Sequence, residues 1–383
     1  MPSISATIIV RNEEQFLPAC LESIEHIVDE IVVVDTGSVD CTRDIARRFG
    51  VRLIDFAWID DFSAARNVAI EHARGDWMLY IDADERVRSI DRTQVDRDLS
   101  DPDLVTATVC FRPRIGFTAY RECRLIRRDP RIRFHGAMHE TFLPDIDRLV
   151  DCGLGRIGAS SMTIDHIGYE GDQSRKLDRN LRLLLKQIEA APKRPYLRWH
   201  LGCVYRDLGR AEEAEASWIE GARLAREAAR PPPDAAMCAI ELAKLALIEG
   251  RDPGAAIADG LEVHPGNWML LWLRGKALLA AEDFEGARPI FEELATIDAG
   301  SMIDRLSYDS RIFGASALQE LAEDAFRRED YAQSATIFAR ASARNPDSLE
   351  LRAKQSLASA RAGAVKPLEA MPEDCARPAT PGR

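Results

Sequence analysis

The chain has 383 residues, enough for two domains, and sets 63 acidic against 51 basic side chains for a formal net charge of −12. That balance argues against a nucleic-acid binder and for a soluble protein. No apolar run approaches the length of a membrane-spanning helix and no signal peptide fits before Ser5, so a cytoplasmic protein without a membrane span is expected.

Residues 5–10 (SATIIV) are a β-branched run and the first expected strand. Arg11-Asn12-Glu13-Glu14 follows, then a helical pattern with Phe16, Leu17, Cys20, Leu21 and Ile24 on one face. Residues 31–34 are a second apolar strand, ending in Asp35-Thr36-Gly37-Ser38. Residues 42–49 read as an amphipathic helix closed by Gly50, 51–56 as a third strand, and 63–73 as a third helix closed by Arg74-Gly75. Residues 77–81 (WMLYI) make a fourth strand that runs into Asp82-Ala83-Asp84-Glu85. Strands alternating with helices predict βαβ units and a mostly parallel sheet, whose ligands bind beyond the carboxyl ends of the strands. Asp35 and the 82–85 run share that mouth. Three carboxylates in four positions repel one another, and a divalent cation shared with a substrate phosphate would relieve the conflict.

This order of motifs resembles the family 2 glycosyltransferases. The matching stretches are IIVRNEE (8–14), VVVDTGSVDCT (32–42), DDFSAARNVAIEHARGDW (60–77), IDADE (81–85) and RECRLIRRDPRIRFHGAMHE (121–140), ending near HIGY (166–169). The resemblance implies an α/β catalytic domain of GT-A fold, Rossmann-like, over residues 1–170. It implies transfer of a sugar from a nucleotide-diphosphate donor, usually with inversion, assisted by Mn²⁺ or Mg²⁺. The nearest subgroup looks like bacterial sugar transferases with tetratricopeptide-like repeats after the catalytic domain.

On that resemblance Arg11 and Glu13 approach the donor base, and Asp35 hydrogen-bonds the base or ribose. Many relatives carry a second acid where this chain has Thr36. Arg66 lies near the base and diphosphate, where a guanidinium fork suits phosphate oxygens. Asp82 reaches the ribose or a metal-bound water, and Asp84 ligates the cation. Each residue also has a plainer reading: Asp35 as a helix cap, Arg66 as a surface arginine, Asp84 as part of a solvated turn. Glu85 reads as a supporting partner or a helix cap.

An inverting transfer needs a general base for the acceptor's proton. In RIRFHGAMHETF (131–142) a His-Glu pair stands where the subgroup has one, making Glu140 the candidate base and His139 its orienter or a sugar contact. The alternative pairs Glu140 with Arg124, Arg127 or Arg133. His166 is a candidate metal ligand through its neutral imidazole, or else structural. The arginines at 121, 124, 127, 128, 131 and 133 alternate in a strand-rich segment, which splits them across two faces.

From Asp172 onward strand signals vanish. Leu201-Gly202, Tyr205, Gly209 and Ala214 fit a tetratricopeptide-like pair, and looser matches recur to Pro346, with Pro231-Pro232-Pro233 breaking the period. Residues 171–363 are therefore expected to hold three to four helical pairs that bind acceptor or partner, build a homodimer, or cap the first domain. Trp199, Trp218, Trp268 and Trp272 read as core. Residues 364–383 read as a flexible tail. The eight cysteines are scattered without zinc spacing, which predicts reduced thiols, and neither a P-loop nor a GxGxxG fingerprint occurs.

The expected function is metal-dependent transfer from a UDP-sugar to an acceptor glycan, lipid-linked core, natural product or peptide. The alternatives are a nucleotide-sugar-binding scaffold acting through its repeats, and a nucleotidyltransferase, disfavoured by Arg11-Asn12-Glu13-Glu14 where a Gly-rich loop would stand.

Overall fold

The computed structural model describes residues 1–88, 90–113, 116–168 and 174–364; Tyr169 and residues 365–383 of the expected tail lie outside them. The chain opens with β1 (Ile4–Val10), α1 (Leu17–Ile24), β2 (Glu30–Asp35), α2 (Thr42–Arg48), β3 (Arg52–Asp55), α3 (Phe62–His72) and β4 (Trp77–Tyr80). These follow the expected order to within a residue or two. β1 pairs parallel to β2 and β4, and β2 parallel to β3.

Both faces of this sheet are buried, which is why its strands are almost continuously apolar. Ile4, Ala6, Ile8 and Val33 pack against Leu17, Leu21 and Ile24 of α1 and Ile45 of α2. Val34 faces Ala65 and Ala69 of α3 on the other side. α3 starts where Asp61 accepts the Ala64 amide at 3.0 Å, setting Arg66 one turn inside the helix.

β5 (Glu85–Val87), α4 (Arg92–Asp98), β6 (Leu104–Arg112), β7 (Ala119–Arg127), α5 (Leu143–Asp151) and β8 (Arg156–His166) complete the first domain. The sheet runs β3-β2-β1-β4-β7-β6-β8-β5 and is mixed: β7 is antiparallel to both β4 and β6. The arginines of the basic run are dispersed, as alternation implied. Arg121 donates to the Ser160 carbonyl, Arg124 pairs with Glu85, and Arg131 with Asp129.

Apolar positions alternate along 131–142, yet the segment is not a strand. Gly136 (φ +105°) and His139 (φ +52°) turn the backbone, leaving a loop closed by paired bonds between His135 and Thr141.

The second half is helical: α6 (Ser174–Ala190), α7 (Pro195–Asp207), α8 (Ala211–Glu227), α9 (Met237–Ile248), α10 (Gly254–Val263), α11 (Trp268–Ala280), α12 (Phe284–Thr296), α13 (Ala315–Arg327), α14 (Tyr331–Arg344) and α15 (Leu349–Ala364). From α7 to α14 they pack as four pairs. Gly202 lets α7 close on α8: a Cβ there would stand 2.2 Å from Trp218 Nε1. Trp218 is core, and Trp268 and Trp272 pack against the core around Phe291 and Phe313.

The halves are joined through the sheet. Between α12 and α13 a two-residue strand, β9 (Ile303–Asp304), adds to β7 at Ala119 and Tyr120. Thr118 reinforces it through bonds of 2.9 Å with Tyr308 in both directions. Among the described residues no helix is long and apolar enough to cross a membrane, and the seven cysteines there are unbridged.

Candidate active site

Beyond the carboxyl ends of β1 and β4 lies a cleft of about 700 Å³ lined by Arg11, Glu13, Arg66, Asp82, Asp84, Glu140 and His166. Seven of the eight residues expected at the site meet there. The 11–14 loop is tied to the 36–42 turn, with the Asn12 amide on Ser38 Oγ and the Glu13 amide on Thr42 Oγ1 at 2.7 Å.

Arg66 is the hub. Its side chain is only 6% exposed, with Nη2 donating to Asp82 Oδ1 at 2.6 Å and Nε to Glu140 Oε1 at 3.0 Å. Nη1 is buried without a partner, and the guanidinium lies 5.1 Å from the centre of the Tyr80 ring. Burial works against the Asp82 charge, but the Arg66 and Arg124 guanidinia outweigh it and hold its pKa below the usual value. Glu140 pairs with Arg66, where the alternative to its role as base had offered Arg124, Arg127 or Arg133.

The acidic turn divides its labour. Glu85 is buried, accepts both Arg124 Nη groups at 3.1 and 2.8 Å, and accepts the Asp82 amide at 2.9 Å. It braces the turn from behind while Asp82 and Asp84 face the cleft. At the end of β8, His166 Nε2 lies 3.1 Å from Asp84 Oδ2, and the Ile167 amide donates to the Asp84 carbonyl. The bond to Asp84 raises the His166 pKa against the opposing effect of burial.

Asp84 and His166 thus offer one oxygen and one nitrogen at a common point; the carboxylate suits Mn²⁺ or Mg²⁺, and the added imidazole suits Mn²⁺ rather than Mg²⁺. Among the described residues no group of three or more His, Cys, Asp or Glu side chains is placed to hold a metal ion. Remaining ligands would have to come from water or a bound phosphate, which is usual for Mg²⁺. On those terms the pair fits the cation.

Asp35 stands apart. It is 1% exposed and does not line the cleft; it accepts the Gly37 and Ser38 amides and pairs with Arg43 at 2.9 Å. Thr36 lines the cleft instead.

The loop carrying Glu140 is held from the helical half. The Met138 amide donates to Gln187 Oε1 at 2.8 Å, Arg194 Nη1 to the His139 carbonyl, and the His139 ring stacks on His200 at 3.7 Å. Gln187, Arg194 and His200 carried no signal in the sequence, because their role depends on a contact between domains. Trp58 and Phe62, which also line the cleft, lie inside the DDFSAARN neighbourhood and were within reach as aromatics flanking a helix cap.

Comparison with known proteins agrees with this architecture. Residues 5–157 match the family model described as Glycosyl transferase family 2, and residues 245–301 match that of the Tetratricopeptide repeat. A TPR repeat-containing protein of Synechococcus elongatus is 44% identical over 142 residues, 37% of this chain and 35% of that one. The glycosyltransferase SunS of Bacillus phage SPbeta is 28% identical over 222 residues, 56% of this chain and 51% of that one. The chain spans about half, or less, of the length of these relatives. Glucosyl-3-phosphoglycerate synthase from Mycobacterium tuberculosis, solved with Mn²⁺ and UDP-glucose, is 16% identical with a TM-score of 0.36, covering 48% of this chain and 77% of that one. The chain carries a family 2 glycosyltransferase domain followed by tetratricopeptide-like repeats.

Proposed function

We propose that this chain is a glycosyltransferase that moves a sugar from a UDP-sugar, with inversion, onto an acceptor presented to Glu140. One observation carries the reading: Arg66 bridges Asp82 and Glu140 at 2.6 and 3.0 Å in the same cleft that receives the Asp84–His166 pair. Donor binding and proton removal would then meet at one point.

Arg11, Glu13 and Thr36 approach the base, Asp82 the ribose, and Arg66 Nη1 the diphosphate. Asp35 acts on the same region by fixing the Gly37–Ser38 turn. Asp84 and His166 would hold the cation, which would supply charge stabilisation for the leaving diphosphate. Glu140 keeps Oε1 on Arg66 and takes the acceptor's proton on Oε2. The acceptor oxygen (or sulfur) bonds to the anomeric carbon as the bond from that carbon to the phosphate oxygen breaks, and the electron pair leaves with UDP.

Calorimetric titration with UDP, first with Mn²⁺ and then with EDTA, tests the donor site, with GDP, CDP and dTDP as controls. Metal-dependent UDP binding followed by hydrolysis or transfer of a UDP-sugar supports the reading. Binding of a different nucleotide changes the donor. UDP binding without turnover leaves a scaffold, and silence from all four nucleotides removes the donor site.

A further inference from the structure

The helical repeats keep their register except at residues 228–236, which contain Pro231-Pro232-Pro233, and 297–314, which contain β9. Both interruptions reach the catalytic domain at one chamber of about 710 Å³, through Pro232, Pro233 and Asp234 and through Arg305, Leu306 and Ser307. A solenoid that only stacks its repeats has no use for such insertions. The facing wall is Tyr120 and Glu122 of β7 and the loop carrying Glu140. His139, Glu140 and His166 line both this chamber and the donor cleft, so the two cavities meet at the proposed base.

We propose that this chamber is the acceptor site, built jointly by the two domains, and that it takes a hydroxylated ring, the end of a saccharide. The inference rests on the glycosyltransferase reading above. Tyr120, Tyr196 and Trp199 line the chamber with aromatic surface, against which the C–H face of a sugar ring can pack. Carboxylates and guanidinia stand around them, Glu122 and Asp234 with Arg194 and Arg305. Hydroxyls answer both, donating to the first and accepting from the second. Among these rings Tyr196 packs edge-on against His139 and His200, with the Arg194 guanidinium 5.2 Å from its ring centre.

Three residues lining the chamber carry a buried polar atom without a partner: the Trp199 Nε1 donor, the Asp234 Oδ1 acceptor and His139 Nε2. Native structures leave few such groups, and a ligand hydroxyl can satisfy either kind. A peptide bound by strand addition would need a free sheet edge. Tyr120 has none, because it pairs with Phe111 on one side and Asp304 on the other. The volume lies within the roughly 300–1,000 Å³ of small-ligand pockets.

Saturation-transfer NMR on the full chain, with UDP and Mn²⁺ present, tests the inference. The probes are methyl glycosides of common hexoses, N-acetylhexosamines and deoxyhexoses, with random heptapeptides run alongside. At least one glycoside should bind, and Tyr196→Ala should weaken it at least tenfold while UDP affinity holds. Asp234→Asn keeps the shape of the side chain and should weaken it in the same direction. UDP binding with no glycoside signal overturns the inference, as does glycoside binding indifferent to both variants, or a signal from peptides alone. Loss of UDP binding in the wild-type chain would instead remove the donor site, and this inference with it.

Discussion

The donor cleft and the interdomain chamber are walled in different ways. In the cleft charge answers charge, Arg66 with Asp82 and Glu140 and Asp84 with His166, and behind it Arg124 pairs with Glu85. In the chamber the helical half contributes rings, prolines and buried polar atoms without partners. The first wall is set before any ligand arrives, since buried charges must be paired to be tolerated. The second is set by packing between domains and leaves hydrogen-bonding capacity for something else. A substitution in the cleft therefore disturbs electrostatics first, and one at the domain junction disturbs geometry first.

The hub of the cleft gives the sharpest test of that contrast. Arg66→Ala leaves two carboxylates facing each other without their shared cation. Removing one partner of a buried pair costs about 3–5 kcal/mol, and Asp82, at 39% side-chain exposure, moves the expectation to the low end. Urea denaturation should show the loss, and UDP binding should fall with it. Arg66→Lys keeps the charge but cannot fork to both carboxylates, so it should fall between the two. Wild-type stability in Arg66→Ala would mean that the cleft is not held by charge.

Asp84 should behave oppositely, with function lost and fold kept. Its side chain is 27% exposed and bonded to one imidazole, a pair worth about 1 kcal/mol or less. Asp84→Ala should melt within a few degrees of wild type and lose the Mn²⁺ dependence of UDP binding. Unchanged Mn²⁺-dependent affinity would remove Asp84 from the cation site.

How far the sequence reached follows the same division. Strand ends and the acidic turn are local patterns, so β1, β2, β4 and the place of Asp82 and Asp84 at the mouth of the sheet were legible from spacing, whereas Arg66 was placed there only by the family resemblance. The partner of Glu140 was not legible, because Arg66 lies 74 residues away, and only the docking of the 134–137 backbone on α3, through Asn67 and the Phe62 amide, brings it near. Apolar positions alternate along 131–142, yet the positive φ at Gly136 and His139 lets the segment loop toward α6 and α7. Asp35 sits where a strand-end ligand belongs, and a nearby arginine claims it. A chamber assembled from two insertions in a repeat had no local signature; only the prolines marked one of them.

Acid should loosen the domain junction through two buried imidazoles. Burial, with Arg194 adding to it, lowers the His139 pKa to about 4; burial, His139 and Arg194 lower that of His200 to about 2. Both rings are thus neutral when docked, whereas exposed imidazoles bind protons below about 6.5. The junction keeps its full stability above that pH and loses it as pH falls from 6.5 toward 4, by at most about 1.4 kcal/mol per pH unit for each ring. Melting curves between pH 7.5 and about 4.5 should show the decline, and His200→Phe, which keeps a stacking ring without the titrating group, should flatten it. An equal slope in that variant would place the acid sensitivity elsewhere.

Asp35 allows the finest distinction, between a residue that touches the nucleotide and one that shapes the turn beneath it. As a base ligand, Asp35→Asn should weaken UDP binding and leave stability nearly intact, since the amide keeps one acceptor oxygen. As a brace for Gly37, Ser38 and Arg43, it should cost about 1–3 kcal/mol in a buried, charge-assisted site, with only a small effect on UDP affinity. Its 1% exposure and full set of partners favour the second outcome. Denaturation and UDP titration on the same preparation separate the two. A tenfold loss of UDP affinity at unchanged stability would return Asp35 to the donor site and require the 36–42 turn to open when nucleotide binds.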